Sequence, residues 1–318
     1  MTTARESGLK GTHFLDFSGW TSHEMNTVLA LANELKQKRA KHEATPYLQG
    51  KTLGMLFDKA STRTRVSFEV GMYELGGHAL FLSDQATQVG RGEPLSDTAR
   101  VLSRYVHGLM VRTHAHANVE ELARYASVPV INGLTDDHHP VQVLADFMTI
   151  FEQKEQLRGL TLCYVGDGNN MVHSLLQAAA LAGMNIRVAV PEGYGPREDI
   201  VEQARRRALS AHSEITITHD PLLAAEGADI VYTDVWASMG QEKESAQRLD
   251  DFKGFQVNRA LLDSADRDAI FMHCLPAHRG EEVSEEVLEG AQSVIFEQAE
   301  NRLHAQKALL VALMGDHR

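Results

Sequence analysis

The chain has 318 residues, 43% hydrophobic and 23% charged, the composition of a folded globular protein long enough for two cores. With 31 Lys and Arg against 43 Asp and Glu its net charge is −12, and no basic block offsets it, which argues against a nucleic-acid or anionic-membrane surface. Two cysteines without C-x-x-C spacing, Cys163 and Cys274, argue against a disulfide framework or a cysteine zinc site; with no apolar leader and no membrane-length apolar run, the expected location is the cytoplasm.

Thr21 and Glu24 have the spacing of a capping box, and Met25, Val28, Leu29, Ala32 and Leu35 repeat on one helical face after it. Leu53 to Phe57 is an apolar run of strand length. Val66, Val70 and Tyr73 then recur at helical spacing until Gly76 and Gly77 end the pattern. Ser61-Thr62-Arg63-Thr64-Arg65 therefore falls on a strand-to-helix turn, where the first free backbone N–H groups and the positive end of the helix dipole attract an anion. Three hydroxyls and two guanidiniums there suit a phosphate. The plainer reading is a Ser/Thr N-cap followed by solvated arginines; two Thr-Arg pairs directly after a strand favour the anion site.

His78 to Leu82 reads as a strand, followed by the polar loop SDQATQVGRGEPLSD, a helix from Thr98 to Tyr105, and a strand from Leu109 ending at Arg112. A helical piece at Val119–Tyr125 and a strand at Val128–Asn132 come next. Pro140 suits the first position of a helix with apolar Val141, Leu144, Met148 and Phe151, and the polar run after it is the expected boundary between halves. The second half repeats the rhythm: strands at Leu160–Val165, Ile186–Val190, Ile215–Thr218, Ile230–Thr233, Ala269–Met272 and Val294–Phe296, and helices through Ala182, over Arg197–Leu209 and at the end of the chain. Alternating strands and helices predict two open, parallel-sheet α/β domains with helices on both faces and the active site in the cleft between them.

Polar clusters come directly after the strands: Arg112; His139 and Gln142, three apart at a helix start; Asn170 in GDGNN; Asp234, Ser238 and Met239 in DVWASMG; Cys274 and Leu275 in HCLPAHRG. Singly, each reads equally well as a satisfied histidine, a capping aspartate or a small buried thiol. GDGNN lacks G-x-G-x-x-G and no acidic residue closes the following strand, against a nicotinamide site. The histidines, among them His114, His116, His138 and His278, lack i, i+4 ligand spacing beside a carboxylate, so neither a metal nor a cofactor is expected.

Taken together, STRTR, HP-x-Q, DVWASMG, HCLPAHRG and AENRLHAQKALL resemble the aspartate/ornithine carbamoyltransferase family over nearly the whole chain, and DVWASMG with HCLPAHRG is similar to its ornithine-using branch. GDGNN is shorter than the loop usual there. The resemblance implies a carbamoyl phosphate-binding domain at residues 1–150, joined by the terminal helix from about 298 to 318, and an ornithine-binding domain at 151–297. It implies that Ser61, Thr62, Arg63 and Thr64 hold the phosphate, that Arg112, His139, Gln142 and Arg302 hold the carbamoyl group, and that Gln88 reaches a neighbouring subunit's site. Asn170, Asp234, Ser238 and the Met239 backbone would hold the amino-acid end of L-ornithine, with Cys274 and the Leu275 carbonyl orienting its side-chain amine. It further implies a homotrimer or higher multiple that makes citrulline and phosphate in arginine metabolism.

The inventory suits that chemistry independently. Attack of an amine on a carbamoyl carbon builds negative charge on oxygen as phosphate leaves, which calls for fixed cations and donors. A Cys274 nucleophile is less favoured, since the substrate amine already is one. Carbamoylation of putrescine or an acylated ornithine, and a non-catalytic phosphate or amino-acid binding protein, are the alternatives.

Overall fold

The computed structural model describes residues 8–83, 92–237 and 244–316. The chain divides into two compact units, Met1–Met148 with Glu300–Arg318, and Thr149–Ala299.

In the first unit, α1 (Ser22–Ala40) starts on the anticipated capping box: Thr21 Oγ1 accepts from Glu24 N at 3.2 Å and Glu24 Oε2 accepts from Thr21 N at 2.7 Å. Then come β1 (Thr52–Phe57), α2 (Thr62–Glu74), β2 (His78–Ser83), α3 (Leu95–Leu102), β3 (Gly108–Arg112), α4 (His116–Tyr125), β4 (Val130–Leu134) and α5 (Pro140–Lys154), which belongs to the second unit from Thr149 onward. The sheet order is β2-β1-β3-β4, every pair parallel. β3 is buried along its whole length, as a strand covered on both faces must be, whereas β2 at the edge is half-exposed. Strand register aligns the ends: Phe57 is level with Arg112, and Arg112 with Leu134 across a bulge. The turns leaving β1, β3 and β4 therefore emerge side by side at the carboxyl edge of the sheet.

In the second unit, β5 (Thr161–Val165), α6 (Asn170–Ala182), β6 (Asn185–Ala189), α7 (Glu198–Ala211), β7 (Ile215–Thr218), α8 (Pro221–Ala225), β8 (Ile230–Thr233), α9 (Ser245–Asp251), α10 (Arg259–Ser264), β9 (Ile270–His273) and α11 (Glu285–Leu288) lead to α12 (Ile295–Met314), which belongs to the first unit from Glu300 onward. The parallel order is β7-β6-β5-β8-β9. Val165, Thr233 and His273 are level across β5, β8 and β9, so the order reverses beside β5 and three polar turns leave at one edge, the position where open α/β sheets bind ligands.

One strand expectation fails. Val294–Phe296 is not a strand: Phe271 makes a single bridge to Ser293, and α12 begins at Ile295. The Val294 carbonyl already accepts from Gln298 N at 2.9 Å, and Phe296 is 64% exposed on the helix surface. Three consecutive apolar residues satisfy a buried strand and a helix start equally, and here the helix took them.

Candidate active site

The turn after β1 combines both readings of STRTR. Ser61 is the N-cap of α2, its Oγ accepting from Thr64 N at 3.2 Å and donating to Thr64 Oγ1 at 3.0 Å. Arg65 is solvated in the plainer sense: it pairs with Glu69 at 2.9 Å, one turn on, and lies 3.9 Å over the Phe81 ring. The second guanidinium expected at the anion site is thus committed elsewhere, because positions 63 and 65 lie about 200° apart around a helix. Thr62 is exposed and Arg63 half-buried.

Neighbouring turns are stitched to this one. Asp58 N donates to the Arg112 carbonyl at 2.9 Å, Thr113 N to the Leu134 carbonyl at 3.1 Å, and Lys59 pairs with Asp136 at 2.5 Å. Arg112 at the end of β3 is buried, as are His139 and Gln142 at the start of α5. α12 supplies Arg302, whose guanidinium donates to Gln142 Oε1 at 2.5 Å and to Thr64 Oγ1 at 3.1 Å; Gln142 Nε2 in turn donates to Asp146 at 2.8 Å. Burial holds the His139 imidazole well below its ordinary range, and the positive charges of Arg302, Arg112 and Arg63 add to this, so it is neutral at pH 7. In a chain of net charge −12, three guanidiniums thus act on one buried ring. Positive charge concentrated in this way favours an anion beside it.

The second unit gathers a different set. Asp234, buried at the end of β8, accepts from Cys274 Sγ at 3.0 Å through Oδ1 and from Asn169 Nδ2 at 3.0 Å through Oδ2. Asn169 is also the N-cap of α6, its Oδ1 accepting from Met171 N at 2.9 Å. Asn170 is the first residue of that helix and partly buried. His273 and Cys274 diverge, as strand neighbours should: the His273 ring is fully buried, its Nδ1 accepting from Leu275 N at 2.8 Å and its Nε2 donating to Glu282 at 3.1 Å. That network holds Leu275 at φ 60°, a left-handed conformation costly for a branched side chain, and so aims the backbone after Cys274. Asp234, His273 and Cys274 lie close enough to bracket a metal, yet each already has protein partners.

Both halves of the chain match known families. Residues 12–152 match the family described as Aspartate/ornithine carbamoyltransferase, carbamoyl-P binding domain, and residues 158–313 match Aspartate/ornithine carbamoyltransferase, Asp/Orn binding domain. The chain is 58% identical over 306 residues to the ornithine carbamoyltransferase of Anoxybacillus flavithermus, covering 96% of this chain and 98% of the relative. The chain belongs to the aspartate/ornithine carbamoyltransferase family. The enzyme of Carboxydothermus hydrogenoformans is 56% identical over the same coverage. The solved ornithine carbamoyltransferase of Pyrococcus furiosus superposes with a TM-score of 0.95 at 51% identity, over 98% of this chain and 99% of that one.

Within this family member, Gln88, Ser238 and Met239 lie outside the described residues. Residues that sequence reading missed are Asn169, Asp167 and Arg248. The N-cap position of Asn169, just ahead of an apolar helix, was the available signal for its fixed side chain. Gly168 between Asp167 and Asn169 is required sterically, since a Cβ there would crowd the Gly195 and Pro196 backbone.

Arg248 of α9 is buried; it pairs with Asp167 at 2.9 Å and donates to the Trp236 carbonyl at 2.7 Å, tying the turn after β5 to the turn after β8. Burial nevertheless raises Asp167 to about 6, with Arg248 opposing the rise. The folded chain then keeps a proton from about pH 4 to 6 that the unfolded chain has released, so Asp167 favours folding below that window and this contribution is lost as pH rises through 6. The cost is on the order of 2–3 kcal/mol across the window. Denaturant melts at pH 4.5 and 6.5 should show wild type losing more stability than Asp167→Asn; parallel losses would mean that Asp167 is ionised throughout.

Proposed function

We propose that the chain is an ornithine carbamoyltransferase, moving the carbamoyl group of carbamoyl phosphate to the side-chain amine of L-ornithine to give L-citrulline and phosphate. The observation that carries this reading is the positive field of Arg63, Arg112 and Arg302 on the buried His139 at the carboxyl edge of a parallel sheet, in a chain 58% identical over 306 residues to an ornithine carbamoyltransferase. A doubly charged phosphoryl group with a polar, uncharged carbamoyl end answers that field and a neutral imidazole together.

Ser61, Thr62, Arg63 and Thr64 take the phosphate. Arg112, His139, Gln142 and Arg302 take the carbamoyl oxygen and amide, where donors fixed in advance stabilise charge as it develops in the transition state. His139, being neutral, donates a hydrogen bond without surrendering a proton. Asn170, Asp234, Ser238 and the Met239 backbone bind the amino-acid end of ornithine. Asp234 has lone pairs left after accepting from Asn169 and Cys274, so an α-ammonium can join them. Cys274 and the Leu275 carbonyl orient the attacking amine, and the reaction uses neither metal nor cofactor.

The protein works as a homotrimer or a multiple of it, with Gln88 reaching a neighbouring subunit. Supporting this, α2 exposes Val66 and Tyr73 and the edge strand β2 exposes Leu80 and Phe81, apolar side chains of the kind that assembly covers. Its place is the cytoplasm and its role arginine biosynthesis; no described helix is long and apolar enough to cross a membrane.

The direct test is colorimetric detection of citrulline from carbamoyl phosphate and ornithine. Product from ornithine, with little from putrescine or Nα-acetylornithine, is the expected result; a phosphate-binding protein without activity would give none. Cys274→Ser should raise the ornithine KM by about tenfold, the weight of one ordinary hydrogen-bond contact, while turnover remains measurable. Mass spectra of the enzyme with carbamoyl phosphate alone should lack a carbamoyl adduct; its appearance would make Cys274 a nucleophile.

A further inference from the structure

The first unit contains a second polar cluster that the proposed reaction leaves unused. Asp16 lies ahead of α1, His116 opens α4, and His138 sits in the turn after β4; each offers one potential ligand atom, and the three atoms all lie within 4.8 Å of one another. Asp16 and His116 are each anchored through their other polar atom. Asp16 Oδ1 accepts from Ser18 N at 2.7 Å, while Oδ2 stands 3.9 Å from His138 Nε2. His116 Nδ1 is 3.0 Å from Thr135 Oγ1, which presents Nε2 as the ligand. Thr135 also grips His138, its Oγ1 accepting from His138 N at 3.1 Å and its own N donating to the His138 carbonyl at 2.8 Å. One threonine thereby holds the His116 ring and the His138 backbone, and the two rings meet edge-on with centroids 4.9 Å apart. A metal-binding imidazole is oriented as His116 is, through the nitrogen that does not bind the ion.

We propose that Asp16, His116 and His138 bind one divalent transition-metal ion of the zinc class. A separation of 3.9 Å is too long for a hydrogen bond. Two ligands about 2.0–2.1 Å from one tetrahedral ion stand roughly 3.3 Å apart, so the Asp16–His138 pair needs a closure of about half an ångström and the pairs with His116, within 4.8 Å, at most about one and a half. Two imidazole nitrogens and one carboxylate oxygen form a zinc-type donor set and are poor for calcium or magnesium, which prefer six or more oxygens. A cavity of about 370 Å³ lined by Asp16, His116, Glu24 and Glu120, among others, has room for a water at the fourth position, and its carboxylates favour a cation. Bound there, the ion staples the segment before α1 to α4 and to the turn whose next residue is His139. It is therefore a structural tether acting on the first unit, without a step in carbamoyl transfer.

Equilibrium dialysis of the full-length protein against zinc, and against cobalt read by its visible absorption, tests the site. Asp234, His273 and Cys274 form one rival ligand set, for which Cys274→Ala is included, and His278, Glu281 and Glu282 form another, to which uptake that persists in Asp16→Asn would point. Wild type and Cys274→Ala should each take up one ion at ~0.1 mM metal and melt at higher temperature with it. Asp16→Asn and His138→Gln should bind at least tenfold more weakly and show no such shift. Should His138→Gln fold poorly, Asp16→Asn carries the comparison, since it keeps the side-chain shape. Uptake unchanged in Asp16→Asn, uptake abolished in Cys274→Ala, or no uptake by wild type would each overturn the proposal.

Discussion

Replacing Arg63 with alanine should lower kcat/KM for carbamoyl phosphate by about a thousandfold, the upper range for losing one fixed donor to developing charge. Arg63 stands in the first turn of α2, and it is one of the three cations that depress His139. A charge-assisted contact there strengthens as phosphate departs, so turnover should fall as well as binding. The helix itself should survive, because its cap is Ser61 and not the arginine. Inorganic phosphate should compete with carbamoyl phosphate in wild type and lose that effect in the variant. Steady-state kinetics at saturating ornithine, with phosphate as the varied inhibitor, make the measurement; equal phosphate inhibition in both proteins would remove the turn after β1 from the anion site.

Asp234→Ala should cut kcat/KM for ornithine by two to three powers of ten, as when one member of a closed ion pair is removed, on the order of 3–4 kcal/mol. Ornithine and putrescine share the reacting amine, but only ornithine has an α-ammonium for Asp234 to meet. The structure adds a second consequence. Asp234 also anchors Cys274 and Asn169, so its loss frees two side chains of the site and some putrescine activity should fall too. Cys274→Ala measures that share alone. Efficiency ratios for both diamines in the three proteins separate the effects: equal losses of ornithine and putrescine activity in Asp234→Ala would mean that this carboxylate orders the site without reading the α-ammonium.

The order of strands and helices was legible because each signal is local: short continuous apolar runs mark the buried parallel strands and 3.6-residue spacing marks the helices, without any knowledge of neighbours. Ser61 as a cap and the Thr21–Glu24 box were legible for the same reason, being local. Val294–Phe296 was misread where three apolar residues suit either element. Arg302 could be placed only by resemblance, since its partners Gln142 and Thr64 lie 160 and 238 residues away and no local pattern encodes them. Arg65 was overcounted because composition places it beside Arg63 whereas helix geometry turns it toward Glu69 and Phe81. Asn169 was passed over for its neighbour Asn170: the N-cap residue points back into the turn after β5, where Asp234 is within reach, while the next residue is already in the helix. The Asp167–Arg248 tie was invisible because burial, which decides its strength and its titration, is a property of the folded chain.

Carbamoyl transfer to ornithine is tested most directly by the fate of a labelled carbamoyl group. The purified protein is given ¹³C-carbamoyl phosphate with equal concentrations of L-ornithine, L-aspartate and putrescine, and the products are followed by NMR. The label is expected in the ureido carbon of citrulline, with the carbamoyl products of aspartate and putrescine at trace levels. Label predominantly in carbamoyl-aspartate or carbamoyl-putrescine, or label recovered only as cyanate and its hydrolysis products, would contradict transfer to ornithine as the function of this site.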